Sequence, residues 1–390
     1  MSERRRVAIT GMGTVNASTT GGTEAVAGAL ALGRSGIRPV TAFSVDGCPS
    51  RLAAPIADET LAALTDRDRA RRFSRICQLA VVACELAVRD AGVAGGTGLG
   101  IVVGSEHGDF RSSEEFALGF LRGGATGLSP MIFPNTVMNT MASVAAIAVG
   151  AKAPSVTLNQ ATVAGDLAIA RAVMLIESGR AEAVVAGGVD EICEVVYRRL
   201  AEMRVLSPMR GGGAEGCRPY DDAHNGPVLG EGATFLVLED LQFARARGAT
   251  ILAEVIDAAW GNIPVAPHRA APRRADHGSP VGRLLRRHRQ ARSGFRRCYG
   301  SGNGDPALDD WECALLAREL DAGRAEVSAL VPPVSLAPLF GQHGGLGALR
   351  VGAAALDASR GMGPVLVHGI ARGGCRAALV VGPLASSTEP

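Results

Sequence analysis

Short apolar runs alternate with segments of helical periodicity along most of this chain. Residues 6–10 form an apolar, partly β-branched run that stops at Gly11-Met12-Gly13, which predicts a buried strand followed by a glycine turn. Residues 74–91 carry apolar side chains at spacings of three and four, which predicts a helix that ends near Gly92.

Further apolar runs bounded by glycine or proline predict more buried strands. They lie at residues 99–104, 154–158, 183–188, 234–238, 251–259, 364–368 and 377–382. A long apolar helix is predicted at 166–178, and the last two strands are joined through residues 372–374. Because strands and helices alternate, the predicted fold class is α/β with largely buried sheets.

The composition excludes several classes of function. The chain has 390 residues, 47% of them apolar, and a net charge of +2, so bulk electrostatics favours neither nucleic acid nor a membrane as partner. None of the eight cysteines forms a C-x-x-C pair, so no metal is expected, and scattered cysteines are typical of a reduced cytoplasmic protein. No signal peptide or transmembrane run is expected. Asn16 stands where a dinucleotide fingerprint needs its third glycine, so no cofactor is expected.

One segment departs from the apolar pattern. Residues 268–297 contain ten Arg, three His and a single acidic residue. This Arg-rich segment is predicted to have irregular structure. Three interpretations stay open: a solvated loop and helix, a cationic surface for an acidic partner, or local sequence decay.

A candidate reactive turn lies at residues 154–168. A β-strand, a sharp turn and a helix meet there, which is the arrangement of a nucleophile elbow. Such a turn exposes one side chain at a helix N-terminus, where the helix dipole favours a thiolate.

Several other segments match one family together with this elbow. They read RRRVAITGMG at 4–13, PMIFPNTVMN at 130–139, AVVAGGVDE at 183–191 and CRPYDDAHNGPVLGEGA at 217–233. The chain resembles the β-ketoacyl synthases of the thiolase-like superfamily, up to about residue 240 and again from about 299 to 382. The resemblance implies a thiolase-like fold, with two pseudo-duplicated βαβαβαββ halves in an α-β-α-β-α arrangement. We place these halves at residues 1–242 and 243–390.

In this family the elbow residue is a Cys that accepts the acyl chain as a thioester, and the resemblance places Thr162 at that position. A Cys thiol, with a pKa of ~8.5, is readily activated, whereas a Thr hydroxyl needs a strong neighbouring base. We therefore expect Thr162 to fill the turn without acting as a nucleophile.

The family's other catalytic positions also hold different residues. Its His-Gly-Thr-Gly-Thr segment aligns with residues 299–303, which puts Tyr299 at the first His. In its Lys-x-x-x-Gly-His pattern, Ala337 takes the Lys position and Gln342 the His position. His343 follows one residue late, so a one-residue shift would return an imidazole to the site. Arg372 stands where a Phe gates the acyl pocket.

These replacements make the chain similar to chain length factors, the ketosynthase-like subunits of bacterial type II polyketide synthases. Better-known members carry Gln at the elbow, whereas this chain has Thr162 there and Gln160 two residues earlier. The resemblance implies two partners, a Cys-containing ketosynthase in a heterodimer and an acyl carrier protein. Two alternatives remain: an active condensing or acyl-transfer enzyme that uses Thr162 or His343, and a homodimeric pseudoenzyme that binds acyl carrier protein.

The family's acyl pocket reaches the dimer interface, where the partner subunit contributes to its floor. Phe side chains in that floor would block a tunnel by excluded volume, and Met side chains would adapt to its shape. Phe116 and Phe120 lie four residues apart, so they fit equally well in the core of an amphipathic helix that starts near Ser113. The candidate tunnel or interface residues are His107, Phe110, Ser113, Phe116, Phe120, Ile132, Phe133, Met138 and Met141.

Overall fold

The computed structural model describes residues 4–209, 212–270, 279–288, 295–321 and 332–384. Its strands are β1 (Val7–Asn16), β2 (Thr20–Gly21), β3 (Arg38–Pro39), β4 (Leu52–Ala53), β5 (Leu99–Ser105), β6 (Ser155–Asn159), β7 (Ala183–Asp190), β8 (Gly232–Asp240), β9 (Ala253–Asn262), β10 (Cys298–Tyr299), β11 (Val365–Ile370) and β12 (Cys375–Gly382).

Its α-helices are α1 (Thr23–Leu32), α2 (Asp58–Leu64), α3 (Arg67–Arg72), α4 (Arg75–Ala91), α5 (Phe110–Gly123), α6 (Thr140–Val149), α7 (Ala164–Glu177), α8 (Glu194–Glu202), α9 (Leu241–Ala246), α10 (Pro280–Arg287), α11 (Pro306–Asp321), α12 (Ala337–Phe340) and α13 (Leu346–Ser359). Two 3₁₀ helices, Gly124–Gly127 and Phe133–Thr136, follow α5. Apart from β1, the ends of the predicted elements agree with these bounds within three residues.

The first strand is longer than predicted, because the glycines at 11 and 13 do not form a turn. β1 continues through them to Asn16, with an irregular register against β8 between Ile9 and Gly11. A Cβ atom on Gly13 would lie 2.3 Å from the Ala83 carbonyl oxygen, so the glycine lets helix α4 pack directly on the strand. The turn prediction was therefore wrong, since close helix packing requires glycine here.

The two halves of the chain repeat one plan. The N-terminal half runs β1-α4-β5-α6-β6-α7-β7-β8, with the strand order β6-β5-β7-β8-β1. The C-terminal half runs β9-α10-β10-α11-α13-β11-β12, and its third strand is reduced to a bridge between Val334 and Tyr299. Its order, β10-β11-β12-β9, matches the first half, and β5–β7 and β10–β11 are both parallel pairs. The predicted pseudo-duplication is confirmed.

Five layers result from this repetition. Helices α4 and α6 cover one face of the N-terminal strands, and α10 packs with α11 and strands β9 and β12 of the other half. Helices α7 and α13 contact strands of both halves and form the central layer. This is the expected α-β-α-β-α arrangement. Among the described helices, none has the length and hydropathy that crossing a membrane requires.

Part of the Arg-rich segment is helical. Helix α10 buries Val281 and Leu284 in a cluster with residues of β9, α11 and β12. The carboxylate of Asp257, which is fully buried, forms an ion pair with Arg287 Nε at 2.9 Å and lies 2.8 Å from His288 Nε2. Residues 271–278 and 289–294 of the segment lie outside the described residues.

Helices α7 and α13 meet through small residues and one buried ion pair. A Cβ atom on Gly165 would lie 2.6 Å from the Gly344 carbonyl oxygen, so the N-termini of the two helices touch. Beside this contact, Arg350 donates to Asp166 Oδ2 at 2.6 Å, and both side chains are buried. An ion pair so fully removed from water requires both partners, since either charge alone would be left unpaired.

We predict that Arg350→Met destabilises the protein by about 3–5 kcal/mol, because it leaves the Asp166 carboxylate buried without a partner. The double variant Asp166→Leu with Arg350→Met should recover most of that loss, since it removes both charges. Urea unfolding of the three proteins measures both effects, and equal losses in the single and double variants would contradict the assignment.

Candidate functional site

The strand–turn–helix predicted around Thr162 is present. Strand β6 ends at Asn159, helix α7 begins at Ala164, and Thr162 sits between them with a φ of 60°. A β-branched residue in the left-handed region costs about 1–3 kcal/mol of backbone strain, which the surrounding packing must hold in place. The chain therefore keeps an elbow geometry although Thr is poorly suited to it.

A carboxylate lies against this elbow. The main-chain N–H of Thr162 donates to Glu106 Oε2 at 3.1 Å. Burial raises the pKa of Glu106, while His107, the Thr162 N–H and the Gln342 amide act in the opposite direction. The elbow amide is thus occupied by a side chain of the same protein.

Asp190, at the end of β7, holds the loops around the elbow together. Its Oδ1 accepts from Ser105 Oγ at 2.6 Å and from the His107 N–H at 3.0 Å. Its Oδ2 accepts from the Gly344 N–H at 2.6 Å. One buried carboxylate therefore fixes both the loop that carries Glu106 and the loop that carries Gln342 and His343.

The Gln342 position is near the elbow, but it carries no acid or base. Gln342 is 5% exposed, and neither side-chain atom makes a hydrogen bond with the described residues. Its main chain pairs with Val228 and Gly230, which fixes the loop. Ala337 begins α12 and is buried in the main apolar core.

His343, which follows the predicted His position by one residue, is held within its own loop. His343 is 1% exposed, and its Nδ1 accepts from the Gly345 N–H at 3.1 Å. Burial lowers the pKa of His343 to about 4, despite the opposing effect of Asp190. The imidazole is therefore neutral at pH 7 and committed to its own loop.

Tyr299 does not line the elbow, so its assignment to the first His position was wrong. Its hydroxyl donates to Asp357 Oδ2 at 2.8 Å, and burial raises the pKa of Tyr299 to about 12. Asp357 lies eleven residues after Leu346 at the start of α13, roughly 16 Å along the helix from the end that meets the elbow.

Ser301 is the residue of this segment that reaches the site. Its Oγ accepts from the Ile370 N–H at 2.8 Å, and Ala371, the next residue, packs on Val163 beside the elbow. The glycine pattern fits the family segment in two registers, 299–303 and 301–305, and the structure selects the second.

Arg372, at the gate position, is part of an ion pair. Its guanidinium donates to both oxygens of Asp305, at 2.7 and 2.8 Å, and its Nη1 donates to the His268 carbonyl at 2.7 Å. Asp305 is the last residue of the second register, so two charged replacements in neighbouring loops satisfy each other.

The candidate tunnel residues divide into a rim and a core. The His107 and Phe110 rings meet edge to face at 6.5 Å, and the Phe116 and Phe133 rings lie 5.8 Å apart, which joins α5 to the second 3₁₀ helix. Met141 is only 1% exposed and belongs to the core under α4, so it lines no surface.

The remaining candidates lie on or near helix α5. Helix α5 begins at Phe110, three residues before the predicted start, because Asp109 caps it by accepting from the Ser112 N–H. Ser113 Oγ donates to the Asp109 carbonyl, and Phe120 is 53% exposed. Met138 packs on Gly108 in the loop after Glu106, and Ile132 is half-buried.

No described cysteine occupies the elbow position. Cys375 comes near it, because it packs with Val163 and Ala371. Burial raises the pKa of Cys375 to about 11, so it is a thiol at neutral pH. Among the described residues, no group of three or more His, Cys, Asp and Glu side chains could hold a metal ion.

A profile of the β-ketoacyl synthase N-terminal domain matches residues 4–244. The chain belongs to the β-ketoacyl synthase family. The 3-oxoacyl-[acyl-carrier-protein] synthase 2 of Synechocystis sp. is 32% identical over 283 residues, which are 70% of this chain and 68% of that protein.

Solved structures of this family superpose over nearly the whole chain. The ishigamide ketosynthase/chain length factor gives a TM-score of 0.85 at 25% identity, covering 98% of this chain and 100% of that one. A type II PKS acyl-carrier protein in complex with its ketosynthase gives 0.82 at 19% identity, with the same coverage. The second likeness shows the fold alone.

Sequence reasoning missed Glu106, Asp190 and Asp305. The first two follow apolar strands, as the elbow does, and the carboxyl ends of neighbouring parallel strands lie together at one edge of a sheet. That rule could have placed Glu106 beside Thr162, since β5 and β6 are parallel neighbours. Asp305 required the correct glycine register, which the repeated pattern hides.

One further buried carboxylate anchors the helix that carries the rim. Glu191 follows β7 and is 6% exposed, and Arg111 Nε of α5 lies 3.5 Å from its Oε2. Burial raises the pKa of Glu191 to about 8; Asp109 and Glu231 raise it further, while Arg111 and Arg75 lower it.

We predict that Glu191 makes the protein less stable as pH rises. The pKa of a free Glu is ~4.3, and the pKa of Glu191 in the folded protein is about 8. Protonation of Glu191 therefore contributes its full stabilisation below pH ~4.3, and this contribution is lost by pH ~8. The Tm of the native chain should fall by roughly 5 °C more between pH 5.5 and 8.5 than that of Glu191→Gln. Parallel Tm curves for the two proteins would contradict this assignment.

Proposed function

We propose that this chain is a non-catalytic chain length factor that pairs with a Cys-containing ketosynthase. The pair would carry out the decarboxylative Claisen condensation of type II polyketide biosynthesis. In this proposal the partner supplies the chemistry, and the present chain shapes the acyl tunnel and sets product length.

The observation that carries this proposal is an intact elbow without reactive groups. Thr162 keeps the left-handed turn at the start of α7, but it carries a hydroxyl where the family's elbow residue carries a thiol. Gln342 cannot take a proton at neutral pH, and His343 is buried and neutral. A fold that keeps the elbow without its reactive groups is what a partner subunit requires.

An open strand edge supports the pairing. Strand β6 is the last strand of its sheet in the described structure and pairs on one side only, with β5. An unpaired edge presents free N–H and C=O groups and favours the addition of another strand. In the family, the two subunits' sheets join edge to edge, so β6 is the proposed contact.

Exposed apolar side chains cluster in the sequence next to this edge. Of fifteen large apolar residues exposed in the described structure, eight lie between residues 110 and 147. They are Phe110, Leu118, Phe120, Leu121, Met131, Phe133, Val137 and Ile147. This exposed apolar surface favours a permanent partner, with an interface on the order of 2,000 Å².

The two relatives in solved complexes support the kind of partners. One is a ketosynthase/chain length factor, and the other contains a type II PKS acyl-carrier protein bound to its ketosynthase. For this chain we therefore propose a Cys-containing ketosynthase as the permanent partner, and an acyl carrier protein that delivers the growing chain to the pair.

Expressing the chain alone and together with a ketosynthase distinguishes the proposed function from the two alternatives. An active enzyme would condense malonyl units as a lone chain, and a homodimeric pseudoenzyme would form a stable dimer without another subunit. The proposed function instead expects the lone chain to self-associate or to be unstable, and to form a monodisperse pair when co-expressed with a Cys-containing ketosynthase from the same gene neighbourhood.

We predict that Thr157→Pro in β6 abolishes this pairing. The Gln160 N–H donates to Ser105 in β5, so alternation along the strand turns the Thr157 N–H away from β5, towards a partner. Proline removes that donor while it leaves the β5–β6 bonds intact. Thr157→Val is the matched control, since it keeps the N–H, and should co-purify normally.

A chemical readout of the same edge comes from Lys152, the single lysine of the sequence. It is exposed and lies three residues before β6, so an amine-reactive ester should modify it more slowly in the pair than in the lone chain. Pairing that survives Thr157→Pro, with Lys152 still protected, would exclude β6 as the contact.

We predict that Phe116→Ala or Phe133→Ala lengthens the products of the pair by at least one two-carbon unit. Each substitution removes one ring of the Phe116–Phe133 contact and opens space at the rim. Leu32→Ala, at an exposed apolar position on α1, is the control and should leave product length unchanged. Mass analysis of carrier-bound products measures the shift, and unchanged length in both Phe variants would remove the tunnel assignment.

A further inference from the structure

Glu106 occupies the main-chain N–H of the elbow residue, Thr162. The residue directly follows β5, and its own N–H is fixed by Asp190 at 3.1 Å. With the backbone held in this way, the side chain reaches across to the neighbouring strand end, where Oε2 accepts from the Thr162 N–H at 3.1 Å. The contact is therefore built by two strand ends and a half-buried carboxylate.

The Thr162 N–H lies just before the first turn of α7, a helix of fourteen residues. Main-chain N–H groups at such a position carry positive potential and bind carbonyl oxygens or anions in elbow-type sites. A donor that is already bonded to a carboxylate is not free for the carbonyl oxygen of an incoming thioester.

Gln342 is a second polar group near the same carboxyl. Its side chain is 95% buried, it makes no hydrogen bond with other described residues, and its amide is close enough to affect the Glu106 titration. The elbow donor and an otherwise unpartnered buried amide thus converge on one side chain.

We propose that Glu106 is an internal plug, which occupies the elbow in place of an acyl carbonyl and keeps acyl thioesters out of this subunit. The inference deepens the proposed function and rests on it, because it explains how the acyl chain is kept on the partner's elbow. Exclusion then depends on two separate features, the missing thiol at position 162 and the carboxylate at position 106.

The plug has a direct chemical test. Thr162→Cys is prepared in the full chain with Glu106 native, with Glu106→Gln and with Glu106→Gly, and each protein is treated with iodoacetamide. The thiolate sulfur displaces iodide, so a C–S bond forms, the C–I bond breaks and the thiol proton passes to the buffer. Peptide mapping separates the introduced thiol from the eight native cysteines, with the native chain as background.

The proposal expects alkylation at position 162 to be at least tenfold faster with Glu106→Gly than with native Glu106. Glu106→Gln keeps the shape and an acceptor oxygen but removes the charge, so its rate should stay within about threefold of the Thr162→Cys protein that retains Glu106. Equal rates with Glu and Gly would overturn the plug. A Gln rate equal to the Gly rate would also overturn it, because the effect of the carboxylate's charge on the thiolate at position 162 would then explain the protection.

Folding and pairing are measured on the same proteins. If Glu106→Gly lowers Tm below the working temperature, Glu106→Ala replaces it, since it removes the carboxylate but restricts the backbone. Labelling is run on the lone chain and on the co-purified pair. If labelling is faster with Glu106→Gly, as expected, but none of the proteins pairs with the ketosynthase, only the proposed function is contradicted. If the proteins pair normally but label at equal rates with Glu and Gly, only the plug is contradicted.

Discussion

The buried Asp166–Arg350 pair and the contact beside it fix the geometry on which the rest of the molecule depends. This ion pair links α7 to α13, the two equivalent central helices of a duplicated fold, and each helix begins at a loop of the site. Removing either charge leaves the other buried without a partner, which destabilises the protein. Both residues are therefore required for stability even in a chain without reactive groups. The elbow at Thr162 and the loop at Gln342 are held together by the same constraint.

Around this fixed frame, the positions that would hold reactive groups have acquired local partners. Arg372 and Asp305 satisfy each other in two neighbouring loops, and Glu106 binds the elbow N–H. Thr162 carries a hydroxyl that is not ionised near neutral pH, and His343 is buried with its Nδ1 bonded to the Gly345 N–H of its own loop. The site is therefore rebuilt as a set of internal contacts, which is consistent with a subunit kept for its shape and its edge.

Much of the fold follows from local patterns in the sequence. Apolar runs located the strands, because most of them are covered on both faces and need no polar alternation. β6 was also found in this way, but it lies at the edge of the sheet and is only partly buried. Helix α4 was found from its spacing and its glycine end, whereas β1 was cut short because glycines 11 and 13 read as a turn. Their real role, the close approach of α4, depends on a packing partner seventy residues away in sequence and has no local signal.

The site was harder to predict than the fold. The elbow is local, so the strand–turn–helix pattern placed Thr162 correctly, but two glycine registers fitted residues 299–305 and only the contact of Ser301 with Ile370 separates them. Glu106 and Asp190 act through groups far away in the chain, and Met141 proved to be core although it neighbours the rim. Tertiary contacts of this kind leave no periodicity to read.

The central claim is that this chain contributes structure and no chemistry to an active pair. It is tested most directly by the condensation kcat of the co-purified pair with native Thr162 and with Thr162→Ala. The kcat should stay within about twofold, because a hydroxyl without a base gives no transition-state stabilisation to lose. A fall of about a hundredfold, with pairing and Tm unchanged, would contradict the claim and make Thr162 a catalytic residue.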